Sequence, residues 1–406
     1  MSNVSVSPAA VKVPSPTRIL IASGLGNLFD SMDVLLFSYI LVSLGRNWHL
    51  NPGVMGMLGS LALVGMAIGS AFAGSLADRF GRRTMFMLTL LLYSIASGLS
   101  GFATTVGILM LLRFLTGLGL GGELPVSTTY VLESSQDVTR GRRVVFLQMF
   151  WAFGSLVAAL IAFFVIPSVG WRAAFWICAI PALYTIFLRI GLPETPRYRN
   201  LPKRLTLRQS FAKTWSKGMS RRSAVTWTLW FTMNYAYYGL FTWLPTMMTH
   251  KGYSLVHSFG YVLIMTLAQV PGYLTAAWLV EKWGRKKTLV IAIFLSALAS
   301  LGFGFATSTG TLILFGLLIS YFMLGAWAAT YLFSVEQFPT AARATGMGWS
   351  AGFGRIGGVL APTLTGWLLG AKVGFPIIFG IFFAVLLVGA LIVGWFGLET
   401  KGKQLE

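Results

Sequence analysis

Twelve apolar stretches dominate this chain, at about 19–44, 54–77, 84–104, 106–131, 144–167, 170–192, 222–249, 256–281, 287–306, 309–334, 344–371 and 373–397. A helix that crosses a bilayer needs about 20 predominantly apolar residues, so each stretch is long enough to span. Charged residues make up only 10% of the 406, and mean hydropathy is +0.74. A soluble domain carries roughly 25% charged residues. The chain therefore reads as an all-α polytopic membrane protein with twelve transmembrane helices. The first residues carry prolines and no apolar core, so no cleavable signal peptide is expected. The single cysteine, Cys178, lies within a span and excludes an intrachain disulfide.

The net charge of +20 could suggest nucleic-acid binding, but its distribution points elsewhere. Lys and Arg crowd one set of alternate connections: the N-terminal tail, 79–83, 140–143, 197–222, 282–287, Arg343 and the C-terminal tail. The opposite set holds Arg46, Arg172, Lys251 and Lys372. That asymmetry is the positive-inside pattern. It places both termini and the basic segment 193–221 in the cytoplasm and leaves no role for nucleic acid.

The chain also repeats itself. GSLADRFGRR (74–83) follows span two, and AWLVEKWGRKK (277–287) follows span eight. A single offset of 203 residues takes Asp78 to Glu281, Gly81 to Gly284, Arg82 to Arg285, Glu133 to Glu336 and Arg140 to Arg343. It also takes Gly122 in span four to Gly325 in span ten. Such self-similarity marks a duplicated structural unit. The expected organisation is a tail (1–18), a six-helix bundle (19–192), a basic linker (193–221), a second six-helix bundle (222–397) and a C-terminal tail (398–406).

Two six-helix halves, each with an acidic-x-x-Gly-Arg-Arg/Lys loop after its second helix, resemble the major facilitator superfamily. RFLTGLGLGGE (113–123), LPETPR (192–197) and LET (398–400) strengthen the likeness. The resemblance implies two pseudo-symmetric bundles that rock about a substrate site near the bilayer midplane. It also gives the paired loops a mechanical role. Asp78, Gly81, Arg82 and Arg140, with Glu281, Gly284, Arg285 and Arg343, form a cytoplasmic gate that locks and releases by charge pairing; the alternative is a tight basic turn.

Four charged side chains lie deep in the membrane pattern of the first half. Asp30 and Asp33 sit three apart in NLFDSMDVLLF (27–37), on one helical face. Arg113 and Glu123 lie in span four among Gly117, Gly119, Gly121 and Gly122, and small residues let helices approach closely. Arg113 can be the counter-ion of a span-one acid or part of a structural ion pair. The Arg-x-x-x-Gly pattern resembles one in proton-coupled members of the superfamily. These four residues are the expected proton-coupling set, with Asp33, deeper in its span, expected to be indispensable. The offset takes Asp30 and Asp33 to Met233 and Ala236, so the duplicated half lacks these acids.

Arg355, in FGRIGG (353–358), lies about 11 residues into span eleven. A charge at mid-membrane costs on the order of 3 kcal/mol, and more if isolated. Its planar fork suits a carboxylate. The second half offers no buried acid, so the partner is either an anionic substrate or Asp30 or Asp33 across the bundle. Trp151, Asn234, Tyr237, Tyr238 and Trp327 reach the same depth and can enclose a flat ring, although aromatic stripes more often pack on neighbours. Gln148 and Gln269 can add hydrogen bonds. Trp48, Trp243 and Trp283 fall at span ends, where interfacial anchoring explains them.

Enzyme chemistry finds no support. His49, His250 and His257 are scattered near external loops, no metal-ligand cluster or cofactor motif is present, and no Gly-x-x-x-x-Gly-Lys phosphate loop indicates ATP. Within the superfamily, FDSMDVLLFSYI, GLGLGGELPV, FVIPSVGW, YVLIMTLAQVPGYLTAAWLVEKWGRKKTLV and EQFPTAARATGMG resemble the niacin-transporter branch. Asp-x-x-Asp is also similar to the aromatic-acid/proton symporters, although Ser31 and Met32 differ from their Gly and aromatic residue. The resemblance implies uptake of nicotinate, and of nicotinamide as a further cargo, together with protons. It also implies a monomer working in the plasma membrane of a prokaryotic cell. Another small aromatic acid, a sugar, or ligand sensing without transport remain open on the residues alone.

Overall fold

Lipid offers no partners for backbone N–H and C=O groups, so an apolar chain satisfies them internally by forming helices. The computed structural model describes residues 16–80, 82–133, 140–184, 214–216, 218–338 and 343–401. Among these the regular structure is helical: α1 Pro16–Asn47, α2 Pro52–Phe80, α3 Arg82–Ser100, α4 Val106–Glu133, α5 Arg140–Val169, α6 Trp171–Ile177, α7 Ser220–His250, α8 in two segments, Leu255–Leu267 and Gln269–Lys282, α9 Arg285–Phe305, α10 Thr309–Glu336, α11 Arg343–Gly370 and α12 Phe375–Phe396. Each sequence span corresponds to one of these helices. α8 is interrupted within its span. Pro271 has no N–H to give the carbonyl of Leu267, four residues back, and the helix breaks at Ala268.

The glycines of span four have a packing cause. A Cβ on Gly117 would run into the Ala62 carbonyl, and one on Gly121 into the Met66 carbonyl. Glycine thus lets α4 lie backbone-to-backbone on α2, the small-residue solution where lipid gives no hydrophobic drive for helix association. α1 packs on α5, and α3 on α4, which brings the buried charges of α1 and α4 into one layer.

The halves meet along α2–α11, α5–α8 and α1–α7. Among the described residues these direct contacts lie at mid-depth and at the end opposite the basic loops. Ser60 donates to the Val359 carbonyl at 2.6 Å and lies 2.8 Å from the Thr363 hydroxyl. A Cβ on Gly56 would come within 2.6 Å of the Pro362 carbonyl. Tyr39 meets Phe259 edge-on at 5.2 Å. Trp243 belongs to this region and corrects the interfacial expectation. It is fully buried and donates to the Pro362 carbonyl of α11 at 3.0 Å, so packing against a neighbouring helix claims it.

At the basic end of the second half, Arg285 pairs with Glu281 at 3.1 Å and with Glu336 at 3.2 Å. Gly284 turns the chain at φ +101, a conformation that favours glycine. Glu399 then accepts the backbone N–H groups of Arg285 and Lys286 at 3.0 and 3.1 Å, capping α9. Thr400 donates to Glu336, and Gln337 pairs through its side-chain amide with the backbone of Leu398. The LET string therefore ties the C-terminal segment onto this network. Gly81 and most of the basic linker lie outside the described residues, as do the side chains of Asp78, Arg82, Arg140 and Arg343.

Candidate functional site

Asp30 and Asp33 share a face of α1, yet they have different partners. Asp33 lies 2.8 Å from the Arg113 guanidinium and also accepts from Ser97. All three are buried. The Arg113 guanidinium stacks over Phe37, 4.7 Å from the ring centre, and faces Phe175. Cys178 is buried beside Asp33 and Ser97. Arg113 thus has a partner in span one, one of the two arrangements open to it from sequence.

Asp30 faces Glu123 instead. Their exposures are 1% and 0%, and none of their four carboxyl oxygens meets a hydrogen-bond donor among the described residues. Arg355 and Tyr238 face Asp30 from the other half. Arg355 itself is 9% exposed. Its guanidinium makes no hydrogen bond and no ion pair among the described residues, in contrast to Arg113.

The aromatic residues form one cluster. Trp151 of α5 donates to the Tyr237 hydroxyl of α7 at 2.6 Å, a hydrogen bond between the two halves. Tyr237 meets Tyr238 at 5.3 Å and Trp327 at 5.9 Å, both edge-on, a favoured arrangement of aromatic pairs. Trp327 in turn contacts Trp230 and Tyr331. Tyr238 and Tyr331 both face Arg355. The cation expected to receive an anion therefore lies beside the rings expected to enclose a flat molecule. A small cavity beside this cluster is lined by Asp33, Phe37, Arg113, Leu120, Tyr238 and Thr242.

The polar candidates divide. Asn234 donates to the Trp230 carbonyl of its own helix at 2.7 Å, which engages one of its two amide N–H groups. Gln148 Nε2, both amide atoms of Gln269, Trp327 Nε1 and Thr330 Oγ1 are buried without a partner among the described residues. Buried polar atoms are nearly always hydrogen-bonded, so each unpaired one calls for an explanation. Gln269 sits at the break in α8, one turn before Tyr273, which faces Tyr237 and Tyr331.

Sequence reasoning missed Tyr331, Tyr273 and Ser97. Tyr331 stands four residues beyond Trp327 and shares its helical face, a usable signal. Ser97 carries none, being one of several serines in α3.

Comparison with known proteins gives a consistent picture. The model of the Major Facilitator Superfamily matches residues 24–269 and 257–405. A putative niacin/nicotinamide transporter of Bacillus subtilis is 45% identical, over 97% of this chain and 98% of that protein. A niacin transporter of Acinetobacter baylyi is 42% identical, over 94% of each. Among solved structures, the crystal structure of a D-xylose–proton symporter superposes with a TM-score of 0.79 at 22% identity, covering 96% of this chain and 99% of that one.

Proposed function

The chain belongs to the major facilitator superfamily, and we propose that it carries niacin into the cell: nicotinate, with nicotinamide as a further cargo, by alternating access and coupled to protons. The observation that carries this reading is Arg355. It is a buried cation with no hydrogen bond or ion pair among the described residues, set beside Tyr238 and Tyr331. Nicotinate is a flat ring bearing one carboxylate. The guanidinium fork takes the carboxylate, while Trp151, Tyr237, Tyr238 and Trp327 enclose the ring. Gln148, Gln269 and Trp327 Nε1 supply hydrogen bonds to it. The names of the two bacterial relatives support the same cargo.

Coupling falls to the buried acids of α1 and α4, Asp30, Asp33 and Glu123, with Arg113 paired to Asp33. The Arg285–Glu281–Glu336 network, together with Gly284, acts as the gate at the basic end. Its first-half counterparts Asp78, Gly81, Arg82 and Arg140, and Arg343 in the second half, act with it. The basic loops put that end in the cytoplasm, with both termini there, in the plasma membrane of a prokaryotic cell. Each chain holds a complete set of these groups and works as a monomer in the bilayer.

The test is uptake of radiolabelled nicotinate into proteoliposomes, challenged with nicotinamide, benzoate and xylose. Saturable uptake that the pyridine compounds compete for is expected. Uptake that xylose competes for, or none at all, would overturn the assignment.

A further inference from the structure

Glu123 is fully buried and touches Asp30. Several observations set this pair apart from Asp33–Arg113. Gly26, one turn before Asp30 on α1, has no Cβ, and one built there would clash with Glu123 Oε1. The glycine therefore makes the space in which the Glu123 carboxyl lies against α1. The four carboxyl oxygens have no donor among the described residues. Tyr93 of α3 is fully buried, its hydroxyl is unpartnered among the described residues, and it faces Glu123 and Asp30.

The charges around the pair can be counted element by element. Asp33 faces Asp30 from α1 and is neutralised by Arg113 of α4. Tyr93, Tyr184 beyond α6 and Tyr238 of α7 are neutral phenols. Among the described residues, Arg355 of α11 is the one cation facing Asp30 that no acid engages directly.

We infer that Asp30 and Glu123 form a shared-proton pair whose second proton is taken up when an anion occupies Arg355, so that each cargo anion crosses with one proton. Two adjacent carboxylates in a water-poor site repel each other, and such pairs hold a proton between them. In the empty carrier the pair keeps one proton and one negative charge, which Arg355 balances. A bound anion takes over Arg355, and the pair then takes a second proton. Both the empty and the loaded sites are neutral. By reciprocity the same proton strengthens anion binding. The inference rests on the transport reading above and moves the coupling role from Asp33 to Asp30 with Glu123.

Two measurements test it on the full-length protein. The first is accumulation of labelled nicotinate in proteoliposomes under a pH gradient of about one unit, equivalent to about tenfold accumulation for one proton per anion. A carboxamide replaces the resident proton, so Asp30→Asn and Glu123→Gln singly are expected still to accumulate label. The double variant is expected to lose accumulation while still exchanging labelled for unlabelled nicotinate. Loss of accumulation in either single variant, or its survival in the double variant, would overturn the shared pair. The second measurement needs no cargo. Infrared spectroscopy of the purified, unliganded protein at neutral pH should show the C=O stretch of a protonated buried carboxyl, absent from each single variant. No such band in the wild type, or a band that survives either substitution, would overturn the proposal. A wild type that shows the band but carries no nicotinate would overturn the cargo assignment alone.

Discussion

Asp33 and Arg113 lie 2.8 Å apart in a buried layer of the first half, and Ser97 also donates to the acid. Removing one partner of such a buried pair leaves an uncompensated charge, at a cost of about 3–5 kcal/mol. Asp33→Asn and Arg113→Gln should each lower the thermal unfolding midpoint of the detergent-solubilised protein markedly. The double variant should recover a large part of the loss. Equal, additive losses would mean that the pair is not coupled.

A monoanion that travels with one proton carries no net charge. Moving one charge through 100 mV is worth about 2.3 kcal/mol, roughly fifty-fold in concentration. A potential imposed by a potassium gradient and valinomycin should therefore leave nicotinate accumulation unchanged, whereas a pH gradient should drive it. A steep response to potential would point to a different stoichiometry.

The end opposite the basic loops is closed by Ser60 against Val359 and Thr363. Hydroxyls 2.8 Å apart place their Cβ atoms near the range a disulfide needs. In a Cys178→Ala background, Ser60→Cys with Thr363→Cys should cross-link on mild oxidation and stop uptake, and a reductant should restore it. Mass spectrometry of the peptides is the check, and a pair that stays reduced would contradict closure at this end.

Glu399 lies outside the membrane-spanning segments and supplies the pH-sensitive element of the basic-end network. Burial pushes its carboxyl up. The backbone N–H groups of Lys401, Arg285, Thr400 and Lys286 outweigh this and hold it below the usual glutamate range. A depressed carboxyl stabilises the folded form above the ordinary glutamate value, and that contribution fades as pH falls through the lowered one. Hydrogen-exchange protection factors, corrected for the intrinsic pH dependence of exchange, should therefore be high at the first amides of α9 at neutral pH and fall in acid. Glu399→Gln should weaken the cap by about 1 kcal/mol and remove the pH dependence.

Much of this architecture was legible in the sequence because membrane helices obey few rules. Apolar length gave the spans, and the 203-residue offset pointed to the Glu281–Arg285–Glu336 cluster before any geometry. Pro271 could have announced the break in α8. Partner choice was not legible. Whether Arg113 meets Asp30 or Asp33, and whether Glu123 turns toward α1, depends on the rotation of packed helices, which Gly26, Gly117 and Gly121 set through close contact. Trp243 was misread for a related reason. Position near a span end predicts an interface, but burial against another helix overrides it. Tyr331 and Tyr273 entered the site through tertiary packing of α8 and α10.

Arg355 separates this account from its rivals most directly. Uptake and binding of labelled nicotinate and nicotinamide should be compared in the wild type and in Arg355→Ala. Loss of a charge-assisted contact to a buried carboxylate should weaken nicotinate binding by about 2–5 kcal/mol. Nicotinamide, which has no charge, should lose far less. Wild-type nicotinate affinity and uptake in Arg355→Ala would contradict the claim that this guanidinium receives the substrate.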